Sequence, residues 1–172
     1  LNTAFQLVAV IFQLQSLKQY GGVSASHLDH TMVPYFRKSF WKHYLDGLMY
    51  IYEIVPENFP NEPVTELSIE NSWYTAPEYD KAYAYAMQQT KKELQQAVEG
   101  MYHNLNSLQS RSGNQLPFTS INYGTCTSTE GRLIIKAILE GSIKGVGRLH
   151  RTSVFPCGIF QVGEGINKNP GD

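Results

Sequence analysis

No excess of either charge marks this sequence: 14 Lys and Arg face 15 Asp and Glu, a formal net charge of −1 over 172 residues. Without a basic field there is no electrostatic case for nucleic acid or a membrane surface as partner. Long apolar runs are also lacking. Leu1–Leu17 comes nearest, but Gln6, Gln13 and Gln15 interrupt it and Lys18 follows, so it does not have membrane-spanning character. It has no basic flank and no small-residue cleavage site, so it does not read as a signal peptide. Cysteine is scarce. Cys126 and Cys157 are the only two, and in a chain without a secretory signal two thiols stay reduced rather than bridged. The cytoplasm is the expected location. Charged residues make up only 17% of the chain, yet 42% is hydrophobic, which is enough to bury a core and excludes disorder.

The residues present organise into helices first. Leu1, Phe5, Val8 and Phe12 share a helical face, and the other sides of that stretch are apolar too, so a deeply buried helix is expected. It ends at Gln19-Tyr20-Gly21-Gly22. A second helical stretch runs from His27 to Val55, with Phe36, Phe40, Tyr44, Leu48, Tyr52 and Val55 on one side. Pro34 is expected to divide it, and Ser24 or Ser26 to cap it. Pro56, Pro60 and Pro63 mark an irregular connection to Tyr74.

The third helix is the clearest. Thr75 and Glu78 have capping-box spacing, with Pro77 tolerated in the first turn. Met87, Leu94, Met101 and Leu108 recur every seven residues, beside a parallel row of Tyr83, Thr90, Ala97 and Asn104. The seam predicts packing on other helices, and a length of about 30 residues suggests an element that frames a large assembly or a subunit interface.

After residue 115 the pattern changes. Phe118–Tyr123 reads as a strand. Thr127 and Glu130 repeat the capping-box spacing before a helix with Ile134, Ile138 and Ser142 on one face and Ile135 and Leu139 alongside. Gly145 and Gly147 stop that helix. Val154–Val162 is a second strand, apolar enough to be buried on both faces. Pro156 and Gly158 within it imply a bulge or a close backbone approach. Strand, helix and strand together predict a βαβ unit with parallel strands. The chain thus divides into a mainly helical part, 1–115, and a strand–helix–strand part, 116–172, within one α/β segment. One βαβ unit does not close a sheet, and both ends read as cuts through a longer protein.

Several residue groups are candidates for chemistry. Gly21 and Gly22 permit close backbone approach to a ligand, Ser24 offers a hydroxyl, and a helix start follows; the alternative is a plain helix stop. The turn has no Walker spacing and no dinucleotide fingerprint. His27 and His30 lie three apart but lack further ligands, and no metal site is assigned. Ser120 and Asn122 share one strand face. Thr119, Ile121 and Tyr123 share the other, which should meet the helices, so Ser120 and Asn122 point towards any site. Cys126 and Cys157 flank the two strands, close together if those strands are neighbours; they read as auxiliary thiols or as small buried residues. His103 reads as a packing or interface residue. Lys144, Arg148, His150 and Arg151 form a basic cluster, suited to phosphate or to a solvated helix end.

The run Leu116–Arg132 (LPFTSINYGTCTSTEGR) resembles a segment of anaerobic, glycyl-radical ribonucleoside-triphosphate reductases that reads LPF(T/S)SINYGTxTSxEGR, in which position 126 is often acidic. The preceding Met101–Gln115 is similar to that family's HNLNxxxSRxGxQ, Gln19–Gly22 to its QYGG turn, Pro34–Phe40 to its PYxRKSF helix, and Arg151–Phe160 to its TxxFPxxIF strand. The matches run in order over nearly the whole chain. The resemblance implies the helix-rich N-terminal part of a ten-stranded α/β barrel of the glycyl-radical enzyme and ribonucleotide reductase type, incomplete in this segment. It implies reduction of ribonucleoside triphosphates to deoxyribonucleoside triphosphates for DNA synthesis. The glycyl radical is generated by an iron–sulfur, S-adenosylmethionine-dependent activase, with formate as reductant or a thioredoxin-type system in its place. ATP and deoxynucleotide effectors bind near a homodimer interface, and a structural zinc is held by four cysteines.

The radical cysteine, the glycyl radical, the zinc site and the effector-binding cone domain are all expected outside residues 1–172, so no catalytic residue is assigned. Gln19, Tyr20, Gly21, Gly22, Ser24, Ser120 and Asn122 are the substrate- or effector-side candidates, and Cys126 and Cys157 the auxiliary thiols. A non-catalytic helical nucleotide-binding or dimerisation module is the competing class. Another glycyl-radical enzyme is a third, against which the SINYG and QYGG matches weigh.

Overall fold

The computed structural model describes residues 1–18, 21–55, 79–107 and 116–171. Gln19, Tyr20, the proline-rich connection, the Thr75–Glu78 spacing and Leu108 lie outside the described residues. Four helices, α1 (Asn2–Lys18), α2 (Leu28–Tyr52), α3 (Asp80–Ser107) and α4 (Thr129–Lys144), pack with three strands, β1 (Val23–Ala25), β2 (Thr119–Tyr123) and β3 (Cys157–Phe160). The strands form one parallel sheet in the order β1-β2-β3. The chain is therefore α/β, and the expected parallel pairing of the two strands that flank α4 is present. Among the described residues no helix is long and apolar enough to cross a membrane.

Helix α3 forms as its pattern predicts. Thr90, Leu94, Ala97 and Met101 are buried, with Tyr83 and Met87 packed at the margin. The seam is used within the chain: α3 packs against α1, α2 and α4, so burial of these residues needs no second subunit. Tyr83 meets Phe40 edge-on at 5.4 Å, and Tyr79 meets Tyr52 at 5.7 Å. In α2, Phe36, Phe40, Tyr44 and Leu48 are buried as expected, whereas Val55 is exposed beyond the helix end, where Glu53 adopts a left-handed backbone.

Several expectations are corrected. Pro34 does not divide α2: it is the seventh residue of one continuous helix, where it forgoes a single backbone bond, that to the His30 carbonyl, without ending the helix. The cap is His27, in left-handed backbone and without a side-chain cap bond, rather than either serine; in the first turn Asp29 Oδ1 accepts the His30 N–H at 3.1 Å. For α4 the cap is Ser128, whose hydroxyl accepts the Gly131 N–H, not Thr127; Glu130 is directed into the core instead. Helix α1 is not deeply buried. It buries Phe5, Ala9 and Phe12, but Leu7, Val10, Ile11, Leu14 and Leu17 stay 43% to 54% exposed, because α3 and β1 cover only one of its apolar sides.

The second expected strand is shorter than Val154–Val162, and all four residues of β3 are exposed. It is the outer strand of the sheet, and β2 is its only described strand neighbour. Its register with β2 is unbroken, so there is no bulge; the close approach is real, since a Cβ on Gly158 would lie 3.0 Å from the Tyr123 hydroxyl. The Phe155–Pro156 peptide is cis. Finally, the described part of the expected turn, residues 21–24, is not simply a turn. Val23–Ala25 is a strand on β2, too short and too little patterned to be read from three residues.

Candidate functional site

Alternation along β2 decides which side chains share a face. Thr119, Ile121 and Tyr123 are buried and Ser120 and Asn122 only partly so, as the apolar and polar composition of the two faces predicts. Parallel pairing then extends the polar face sideways. Ser24 lies opposite Ser120, Cys157 lies opposite Ser120 on the other side, and Ile159 lies opposite Asn122. One row therefore reads Ser24, Ser120, Cys157, with Asn122 and Ile159 one pleat further on. The Ser24 hydroxyl reaches the Asn122 side-chain oxygen at 3.4 Å. Hydroxyl, amide and thiol groups on one open face supply donors and acceptors suited to a polyhydroxylated ligand.

The glycine turn contributes differently from expectation. A Cβ on Gly22 would lie 2.6 Å from the Phe118 ring and 3.1 Å from its carbonyl oxygen. Gly22 thus makes room for Phe118, the residue just before β2, while Gly21, with φ of 107°, has open space around it.

The loop at the carboxyl end of β2 is held by a residue that motif reading missed. Asp29 is fully buried at the start of α2. Its Oδ2 accepts the N–H groups of Gly124, Thr125 and Cys126 at 2.9, 3.0 and 3.0 Å. Successive amides converging in this way form an anion nest, and here the chain's own carboxylate fills it. His30 Nε2 lies 3.1 Å from the Thr125 hydroxyl, and His27 meets His30 edge-on at 5.9 Å. Further along α2, Arg37 Nε donates to Glu130 Oε1 at 2.9 Å, with Glu130 fully buried. Two charged links therefore tie α2 to the segment after β2. The only prior signal for either was the acidic residue in the helix's first turn and the basic one within its PYxRKSF stretch.

The cysteines are not close. Both are free. Cys157 is exposed at the level of Ser120, whereas Cys126 is buried past the end of β2 with its sulfur 3.4 Å from the Ser128 hydroxyl. Neighbouring strands did not bring the thiols together because they lie at opposite ends of the strand pair. Among the described residues no group of three or more His, Cys, Asp or Glu side chains could hold a metal ion. The basic cluster is exposed: Lys144 pairs with Glu99 at 2.9 Å, and His150 Nδ1 meets the Lys144 carbonyl at the helix end. His103 is exposed and outside the core. A cleft of about 850 Å3 between α2 and α3, lined by Lys38, Lys42, His43, Lys92 and Glu93 among others, shares no residue with the polar face.

Behind the sheet, burial raises the Tyr102 phenol to about 12, with Tyr123 adding to the shift and a hydrogen bond involving Ser142 opposing it. Burial also raises Tyr123. An unfolded chain loses the Tyr102 proton near pH 10 while the folded protein keeps it. Stability is therefore complete below about pH 10 and falls as pH rises towards 12, by on the order of 2 kcal/mol. Tyr102→Phe should remove most of this alkaline slope in urea-unfolding free energies compared on either side of pH 10. An unchanged slope would show that other groups cause it.

Comparison with known proteins gives a consistent result. A family model described as anaerobic ribonucleoside-triphosphate reductase matches residues 1–172. Proteins with that name are similar over nearly all of this chain. The one from Haemophilus influenzae is 29% identical over 172 residues, 100% of this chain and 20% of the relative. The one from Enterobacteria phage T4 is 30% identical over 167 residues, 97% and 23%. The one from Escherichia coli is 28% identical over 172 residues, 100% and 20%. The chain spans about a fifth of the length of these curated relatives.

Proposed function

Because the chain belongs to the anaerobic ribonucleoside-triphosphate reductase family, we propose that it forms one wall of the nucleotide-reducing site of a longer enzyme that converts ribonucleoside triphosphates to deoxyribonucleoside triphosphates. The observation that carries this reading is the open row of Ser24, Ser120 and Cys157, with Asn122 beside it, on the sheet face away from the helices. Ribose and phosphate oxygens need such donors and acceptors, and the rigid strands hold them in fixed positions. The Gly124–Cys126 amides are already engaged by Asp29, so in this reading they bind no phosphate, and Gly21 and Gly22 lead into Ser24.

The sheet would be part of a ten-stranded barrel, with the other strands supplied by the rest of the polypeptide, in a cytoplasmic homodimer. In this reading a glycyl radical made by an iron–sulfur activase would supply the radical chemistry from elsewhere in the longer enzyme, with formate as reductant and ATP and deoxynucleotides as effectors. Two cysteines so differently placed do not fit a four-cysteine zinc site, and none is assigned here. Of the two, Cys157 shares the polar face and suits an auxiliary thiol, whereas Cys126 packs in the core.

The reading is tested in the full-length, radical-loaded protein under anaerobic conditions. Asn122→Ala and Ser120→Ala should each lower kcat/KM for ribonucleotide reduction by about 10- to 100-fold, as expected for losing a hydrogen bond to a polar or charged ligand. Cys157→Ser should retain substrate-dependent 3′-hydrogen exchange. Unchanged kcat/KM in both folded alanine variants would overturn the assignment of this face.

A further inference from the structure

We propose that Asn106 is a positioning residue, assisted by Asn167, that sets the register of β3 against β2 and so keeps Cys157 beside Ser120. The inference rests on the preceding reading only for its functional consequence. Its structural content stands on the hydrogen bonds.

The problem these residues solve is visible in β3 itself. Four exposed residues offer no buried face with which to choose a register, and ladder bonds form equally well one residue out of step. A one-residue slip would nevertheless turn Cys157 towards the core side and Gly158 to the open face, since side chains alternate along a strand. Burial within the strand does not select the alignment, which leaves the close approach of Gly158 to Tyr123 and the contacts at the two strand ends.

Asn106, in the last turn of α3, grips the chain just before β3. Its Oδ1 accepts the Val154 and Phe155 N–H groups at 2.8 and 3.1 Å. Its Nδ2 donates to the Phe155 carbonyl at 2.5 Å and, at 2.6 Å, to the Tyr102 carbonyl on its own helix. The second donation holds the amide group in place, so the other three bonds specify a position rather than follow one. Both amide ends are used, which is why asparagine suits the site.

Asn167 does the same after β3. Its Nδ2 donates to Gly124 and Gln161 carbonyls at 2.7 and 3.0 Å, and its Oδ1 accepts the Gly163 N–H at 2.8 Å. Gly124 and Gln161 are the first residues past β2 and β3, so this side chain ties the two strand ends at one level. A slip of about 3.3 Å along the strand would break the Val154, Phe155 and Gln161 bonds together.

Thiol crosslinking in the full-length protein reads the register directly. Paired positions on neighbouring strands have Cα atoms about 4.8 Å apart, within disulfide range, so S120C treated with diamide should crosslink to Cys157, identified by peptide mass spectrometry. In S120C/N106L the rate should fall at least tenfold. In S120C/N106D, which keeps the acceptor for Val154 and Phe155 but sets a carboxylate oxygen against the Tyr102 and Phe155 carbonyls, the rate should also fall, because both donations are lost. As a control for the rest of the sheet, S24C/S120C in a C157S background should crosslink equally well with and without N106L. Failure of S120C alone to crosslink, an undiminished rate in S120C/N106L, or loss of the β1–β2 control with N106L would each overturn the proposal. None of these readouts involves turnover. Normal reduction by both Ser120→Ala and Asn122→Ala would remove the substrate reading and leave the register assignment standing.

Discussion

Asp29→Ala in the full-length protein is expected to raise hydrogen exchange at the Gly124, Thr125 and Cys126 amides by about a hundredfold or more. The carboxylate accepts all three N–H groups within 3.0 Å, and a hydrogen bond to a charged acceptor contributes about 1.5–3 kcal/mol. Three bonds to one oxygen are not additive, so a total near 3–5 kcal/mol is the reasonable expectation, at about 1.4 kcal/mol per tenfold in the opening equilibrium. Alanine also leaves the three donors unpaired at a largely buried site, which is more costly than never having had the carboxylate. Asp29→Asn keeps one acceptor oxygen and should show a clearly smaller effect. Peptide-level exchange across residues 124–126 measures this. Exchange within threefold of the parent in Asp29→Ala would show that the loop is held by something else.

The second large effect concerns Arg37 and Glu130. Glu130 is fully buried and Arg37 nearly so, with an N–O separation of 2.9 Å. Removing one partner of such a pair strands a charge in the interior and typically costs about 3–5 kcal/mol, whereas replacing both is far milder. Arg37→Leu should therefore lower the thermal midpoint by several degrees, and Arg37→Leu/Glu130→Leu should recover much of the loss. A double-mutant cycle should give a coupling of about 2–3 kcal/mol. Strictly additive single and double variants would mean that the two side chains are near each other without depending on each other.

Both links join α2 to the segment after β2, which is where the polar face ends. Their loss is expected to reach Ser120 and Asn122 through the loop that terminates their strand. This separates them from substitutions on the face itself, which should reduce turnover while leaving exchange at residues 124–126 unchanged.

The sequence by itself determined what depends on local periodicity. The recurrence of Thr90, Leu94, Ala97 and Met101 fits only one buried helical side, and they are buried. The alternation from Thr119 to Tyr123 separates an apolar from a polar face, and the structure keeps them apart in that sense. Phe36, Phe40, Tyr44 and Leu48 likewise follow from spacing, and the ordered motifs from Gln19 to Phe160 indicated the family. Tertiary structure alone decided what depends on meetings between distant segments. Asp29 finds its amides some 95 residues later, and a single aspartate in a helix's first turn looks the same whether it caps its own helix or another segment's loop. Pairing with β2 made a strand of Val23–Ala25, and the outer position of β3 left an apolar stretch exposed. One covered side of α1 rather than several, and two thiols at opposite ends of adjacent strands, follow from the same cause. Periodicity states which residues share a face, but the partner of that face, and the buried polar contacts that align the two, exist only once the chain has brought them together.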